Sequence, residues 1–240
     1  MTSTRLPGKV LLDLAGSPVL SWQIRRLSLS TQIDDIVIAT TTNACDDPIV
    51  EVARQAGVNY FRGDEHNVVD RFVGAAEKYE ADVIVRLTAD CPLSDPRLVD
   101  QVVSALIKRQ HQVDYCANII NRTYPRGFDV EALFVDVLLR IQRLAITKQD
   151  REHVTLPPRD NRSHLFVRHS IEGDSDNSDL RVTLDCAEDL QLLRALAESY
   201  KSSFVGLSCN EVVSVLREHP EWAFVNSGHT TWEPSERQTT

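Results

Sequence analysis

The sequence predicts an α/β domain with a mainly parallel sheet, on three observations. Short β-branched runs recur at 36–40, 58–61, 83–87 and 113–116. Amphipathic stretches of helical length lie between them. Aspartate–proline pairs at Asp47-Pro48 and Asp95-Pro96 mark where helices open. Strands alternating with helices in this way build parallel sheets with helices packed on their faces.

The elements follow in order. Residues 36–40 (Ile-Val-Ile-Ala-Thr) read as a buried strand. Asp47 and Pro48 cap and open a helix that Gly57 ends. Residues 58–61 form a second strand, and 68–79 are helical by spacing. Residues 83–87 form a third strand, which runs into the loop Thr88-Ala89-Asp90-Cys91-Pro92. Asp95-Pro96 starts a helix that reaches about Arg109, and 113–116 form a fourth strand. The rhythm breaks near Asn118. The segment 118–179 is predicted to be an inserted lobe of two or three strands and two helices. Order returns with a strand at 180–184 and a helix at 186–200. Residues 1–227 thus form a single domain with that lobe inserted, and 228–240 are a polar tail.

Composition narrows the function. The chain has 240 residues, 42% hydrophobic and 25% charged, enough apolar content for a core. The net charge of -9 disfavours a polyphosphate backbone as partner, so no nucleic acid is expected. No apolar run approaches the roughly 20 residues that span a bilayer, and no membrane association is expected. The five cysteines are odd in number, and none pair at metal-ligand spacing. Reduced thiols in the cytoplasm are the simplest reading.

Four segments concentrate chemistry. In Ser3-Thr4-Arg5-Leu6-Pro7-Gly8-Lys9, Pro7 stiffens the loop and Gly8 permits close backbone approach. Arg5 and Lys9 add positive charge suited to a triphosphate, though the glycine spacing is not that of a Walker loop. Asp90 lies just beyond a strand, where open α/β sheets bind ligands, and its oxygens suit Mg²⁺. Capping the turn is its structural alternative. Cys91 has no paired base and reads as a packed thiol. Asp185 sits between strand and helix, as an N-cap or as a second metal carboxylate, and Glu188 fits a capping box. Tyr124, Arg126 and Asp129, with the triplet Arg151, Glu152 and His153, gather arginine, carboxylate and histidine in the inserted lobe. Arg126 and Arg151 are candidates to grip a substrate carboxylate. An ordinary salt-bridged hairpin is the alternative.

Taken in order, STRLPGKVL, DDPIVEVA, FRGDEHNVVDRF, RLTADCPLSDP, YPRGFDVE, DREHVT and TLDCAEDL are specific together where each alone is weak. Over roughly residues 2–200 the chain resembles the cytidylyltransferases of the spore coat polysaccharide biosynthesis protein F type, relatives of the Kdo and acylneuraminate cytidylyltransferases. The resemblance implies a Rossmann-like nucleotidyltransferase fold of the glycosyltransferase-A type. It implies CTP and a small anionic sugar or glycan precursor as substrates, Mg²⁺ as cofactor, and a homodimer. By motif, Ser3, Arg5, Pro7, Gly8 and Lys9 fall on the nucleotide loop. Asp90 and Asp185 fall on the metal-binding aspartates, which with Lys9 are the implied catalytic set. Tyr124, Arg126, Asp129, Arg151, Glu152 and His153 fall on the sugar-facing lobe.

Family members place a buried strand and an arginine before this loop. Here Met1 matches the methionine that follows them, so a gap or open edge is expected in the sheet. Phe128, Val130, Leu133 and Phe134 give the lobe an apolar content expected to pack against a second subunit. Two other classes stay open: a metal-dependent glycosyltransferase, for which the expected aspartate-x-aspartate motif is absent, and a non-catalytic homologue.

Overall fold

The computed structural model describes residues 5–161 and 164–224. A short hairpin, β1 (Asp13–Leu14) against β2 (Ser17–Pro18), leads into helix α1 (Val19–Leu27). Strand β3 (Val37–Thr41), helix α2 (Asp47–Gln55) and strand β4 (Asn59–Gly63) form a parallel β-α-β unit. Helix α3 (Val68–Lys78) then crosses to β5 (Val83–Arg86), and α4 (Pro96–Lys108) to β6 (Tyr115–Ala117). The lobe holds β7 (Glu131–Phe134), α5 (Val135–Leu144), α6 (Lys148–Glu152), α7 (Leu156–Asp160) and β8 (Arg168–Ser170). Helices α8 (Ala187–Tyr200), α9 (Cys209–Glu218) and α10 (Pro220–Phe224) complete the described chain.

The main sheet has the order β5-β7-β6-β8. β7 runs antiparallel to both β5 and β6, and β8 runs parallel to β6, so three strands share one direction. Alternation along these strands divides the core into two layers. Cys116 and Ala132 face α4 and α8, where they join Val99, Leu106, Leu193 and Leu196. Tyr115, Ala117 and Leu133 face α3 and α5, where they join Val73, Leu138 and Ile141. The crossover helices put both layers over the sheet, as the predicted α/β architecture requires.

Among the described residues the strands fall in three separate sheets: the hairpin, the β3-β4 pair and the main sheet. Among the described residues β3 pairs with β4 alone and β5 with β7 alone. The side chains of β5 are half-buried throughout, whereas those of β6 are buried throughout.

Three local expectations are corrected. Residues 180–184 are buried but make no strand. Their backbone bonds go to loops: Arg126 N donates to Leu180 O, Val182 N to Arg126 O, and Leu184 N to Asp90 O. A β-branched, apolar pattern reports burial, and here loops took the hydrogen bonds that a ladder would have used. The cap of α8 is Cys186 rather than Asp185, and its reciprocal partner is Asp189 rather than Glu188. Phe128, Val130 and Leu133 are buried within this chain, so they leave no apolar surface for a second subunit.

Arg26 ties the N-terminal helix to the rest. It is fully buried and donates to the carbonyls of Leu93, Ser94, Phe204, Val205 and Leu207. Burial lowers its pKa to about 10. Asp95 adds a second tie, capping α4 through Arg97 N and accepting Cys209 N at 2.7 Å.

Candidate active site

Three chain segments converge at one end of the sheet. Gly8, at φ 67°, turns the opening loop into a 3-10 turn over Lys9–Leu11. That left-handed conformation suits glycine, which has no Cβ to clash. The turn presents Lys9, whose Nζ lies 2.8 Å from Asp90 Oδ2 and 2.8 Å from Asp185 Oδ1. Arg5 lies 3.5 Å from the other Asp185 oxygen.

The two aspartates are positioned by their own backbones. Asp90 sits in the turn after β5, where Cys91 N donates to Thr88 O and Thr88 Oγ1 donates to Asp90 Oδ1 at 2.6 Å. Leu184 N and Thr183 Oγ1 both donate to Asp90 O, which binds the second acidic segment to the first. Because Asp189 caps α8 through the amides of Asp185 and Cys186, the Asp185 side chain is released from capping. Arg181 then reaches Asp185 at 2.7 Å and Asp189 at 3.1 Å.

The electrostatics favour the charged forms. Burial works against the Lys9 ammonium, but Asp90 and Asp185 outweigh it and raise its pKa. Burial likewise works against the Asp185 carboxylate, but Lys9 and Arg181 outweigh it and lower its pKa. Burial, with Asp90 alongside, pushes the Cys91 thiol well up, which removes it as a nucleophile at neutral pH.

A cleft of about 230 Å³ opens beside the aspartates, and Arg122, Arg126, Asp129 and Arg159 line it. Arg122 grips Asp129 with two nitrogens, at 2.7 and 2.9 Å. Gly127 lines the floor where the backbone of Val182 and Thr183 crosses it. Behind the cleft, buried Glu131 accepts from both Arg86 and Tyr115. A polar cleft lined by several guanidinium groups beside a carboxylate pair suits two anionic reactants.

The expected residues divide. Arg5, Lys9, Asp90 and Asp185 meet in one cluster, and Arg126 and Asp129 line the adjoining cleft. Pro7 and Gly8 shape the loop that carries Lys9, and Ser3 lies outside the described residues. Tyr124 stands against Gly173. Arg151 and Glu152 are exposed on α6 and do not line the cleft. His153 follows them, half-buried, with its pKa lowered by burial. Sequence reasoning missed Arg122, Arg159, Arg181 and Thr88.

Two carboxylates that converge on one cation, the Lys9 ammonium, are a fitting pair for a divalent metal. Among the described residues no cluster of three His, Cys, Asp or Glu side chains gathers to hold a metal.

Residues 1–206 match the family described as cytidylyltransferase. The spore coat polysaccharide biosynthesis protein SpsF of Bacillus subtilis is 33% identical over 230 residues, which cover 93% of each chain. A cytidylyltransferase structure from Leptospira borgpetersenii is similar at TM-score 0.89 and 30% identity, covering 97% of this chain and 95% of that one. A CMP:2-keto-3-deoxy-manno-octonic acid synthetase complexed with CTP has a similar fold, at TM-score 0.61 and 18% identity, covering 82% of this chain and 94% of that one.

Proposed function

The chain belongs to the cytidylyltransferase family and is a nucleotidyltransferase, and from that premise we propose that it moves a cytidylyl group from CTP to a sugar acid or related glycan precursor, releasing pyrophosphate. The setting is the making of a surface polysaccharide or other glycan. A spore coat polysaccharide protein among the relatives and a CTP-bound sugar-acid synthetase among the fold neighbours support that reading. One observation carries the site assignment: Lys9 Nζ touches both Asp90 and Asp185 at the mouth of an arginine-lined cleft.

In this reading an acceptor oxygen attacks the α-phosphorus of CTP and the bond to pyrophosphate breaks. Arg5 and Lys9, on the opening loop, neutralise charge that builds on the leaving pyrophosphate. Asp90 and Asp185 are the residues that would hold Mg²⁺, which when bound supplies charge neutralisation at the phosphates. Arg181 orients Asp185, and Thr88 orients Asp90. Arg126 and Arg159 hold the acceptor's anion, while Asp129 fixes Arg122 in the wall. Positioning and electrostatics carry most of the catalysis of phosphoryl transfer. The glycosyltransferase alternative lacks its expected motif, and the cytidylyltransferase family match over residues 1–206 favours catalysis over a non-catalytic role.

We place the protein in the cytoplasm as a homodimer. Its five cysteines are free thiols, as a reducing compartment keeps them. Among the described residues no helix is long and apolar enough to cross a membrane. Ile146, Leu165 and Val167 are 82%, 51% and 57% exposed in the inserted lobe, and a second copy there would cover them. Sedimentation that returns a monomer at micromolar concentration removes the dimer.

The test of function is pyrophosphate release from each of the four ribonucleoside triphosphates with Mg²⁺ and a panel of sugar acids. Release with CTP that requires a sugar acid supports the reading. Release with another nucleotide, or without an acceptor, contradicts it.

A further inference from the structure

We propose that Lys9 is an exchangeable counter-ion that holds the Asp90–Asp185 pair until nucleotide and divalent cation arrive together, so that the free chain binds the cation alone only weakly. The inference rests on the nucleotidyltransferase reading of this site and adds an order of events to it.

The first argument is charge. Around the two aspartates stand the cations Lys9, Arg5 and Arg181 and the carboxylates Asp90, Asp185 and Asp189. The cluster is neutral as it stands, and it has no surplus negative charge to draw a divalent ion out of water. An incoming ion must also lie beside an ammonium that shares both of its protein ligands. Like charges at that separation in a half-buried site repel strongly. Lys9 is the member with 16% side-chain exposure, so its charge is poorly screened by solvent.

The second argument is the ligand count. Asp189 has its oxygens committed to the amides of Asp185 and Cys186 and to Arg181. Among the described residues no third acidic, histidine or cysteine side chain gathers with Asp90 and Asp185 into a group that could hold a metal. An ion of the Mg²⁺ type bound through one or two carboxylates completes its shell with water and substrate phosphate oxygens. The protein part of this site is therefore incomplete without a phosphate ligand.

The third argument is where Lys9 goes. Its flexible four-carbon stem rises from a turn on the same loop as Arg5, so a triphosphate over that loop offers the ammonium new oxygen partners. Negative charge from the nucleotide replaces the aspartates as partners of Lys9, and the freed aspartates become available to the cation. Nucleotide and cation then each raise the affinity for the other by the same factor.

The test is titration of Mn²⁺ into the full-length chain, read by the loss of free-ion electron paramagnetic resonance signal. It is run on wild type, Lys9→Met and Lys9→Gln, with and without a CTP analogue that has a methylene between its α and β phosphorus atoms. Thermal melting checks that each variant folds. Without nucleotide, both variants should bind Mn²⁺ at least tenfold more tightly than wild type. The analogue should tighten Mn²⁺ binding to wild type at least tenfold and to the variants much less. Variants that bind Mn²⁺ no tighter than wild type without nucleotide overturn the proposal. Should neither variant fold, equal Mn²⁺ affinity of wild type with and without the analogue overturns it. If the analogue does not bind at all, the nucleotide reading fails, while the nucleotide-free comparison still decides the role of Lys9.

Discussion

Gly127 lies directly beneath the backbone of Thr183: a Cβ on the glycine would stand 2.7 Å from the Thr183 amide nitrogen and 2.8 Å from the Val182 carbonyl carbon. Its φ of 107° is also a conformation that residues with a side chain rarely adopt. Gly127→Ala should therefore push the 180–184 segment away from Asp90 and destabilise the chain by about 2–4 kcal/mol. Urea unfolding measures the loss, and a change below about 0.5 kcal/mol would contradict the close approach.

Arg26→Met should cost about 3–5 kcal/mol, because it leaves the buried carbonyls of Leu93, Phe204 and Leu207 without their donor. Arg26→Lys should recover only part of this, since an ammonium cannot reproduce the planar fork. Both are read from urea midpoints. Equal stability of Arg26→Met and wild type would show that water can replace the guanidinium.

Much of the fold was legible because apolar periodicity and helix-start signals agreed. Strands at 37–41, 59–63 and 83–86, and the helix begun by Asp95-Pro96, lie where the pattern placed them. The 180–184 segment misled because a buried, β-branched run looks the same whether its amides pair with a strand or with loops. The meeting of Asp90 and Asp185 was expected from their strand-end placement and from motif resemblance, but the Lys9 ammonium between them was not, since nothing in local spacing joins residues so far apart. Arg159 gave no local signal: it follows two prolines on α7, and only the tertiary fold brings it to the cleft.

That placement separates two arginines by function. Arg159→Met should raise the acceptor KM about tenfold or more with the KM for CTP unchanged, as for loss of one charged contact to a substrate anion. Arg151→Met, on the exposed face of α6, should leave both within twofold. Initial-rate kinetics with each substrate varied at saturation of the other give the answer. The reverse ranking would return the sugar-binding role to Arg151.

Acid stability should depend on Asp46. Burial works against its charge, but hydrogen bonds to it, those from Thr41 and Thr40 among them, outweigh that and hold its pKa well below the usual carboxylate range. A folded-state pKa below the unfolded value of about 3.9 gives stability that is fully present above that value and lost as pH falls through the folded one. Asp46→Asn should lower stability at neutral pH and flatten the loss below about pH 4. Urea unfolding from pH 2.5 to 7 checks this, and an unchanged acid limb would contradict it.

The central claim is that Asp90, Asp185 and Lys9 form the centre at which a cytidylyl group changes hands. Phosphorus-31 NMR of the full-length chain with CTP, Mg²⁺ and a sugar acid tests it most directly, because it identifies which phosphorus bond breaks. The account predicts one new phosphodiester resonance from the α-phosphorus and an equal amount of pyrophosphate. It further predicts that Asp90→Asn and Asp185→Asn, folded by circular dichroism, slow both signals by about a hundredfold or more. Orthophosphate with CDP as the products, or wild-type rates in both asparagine variants, would contradict it.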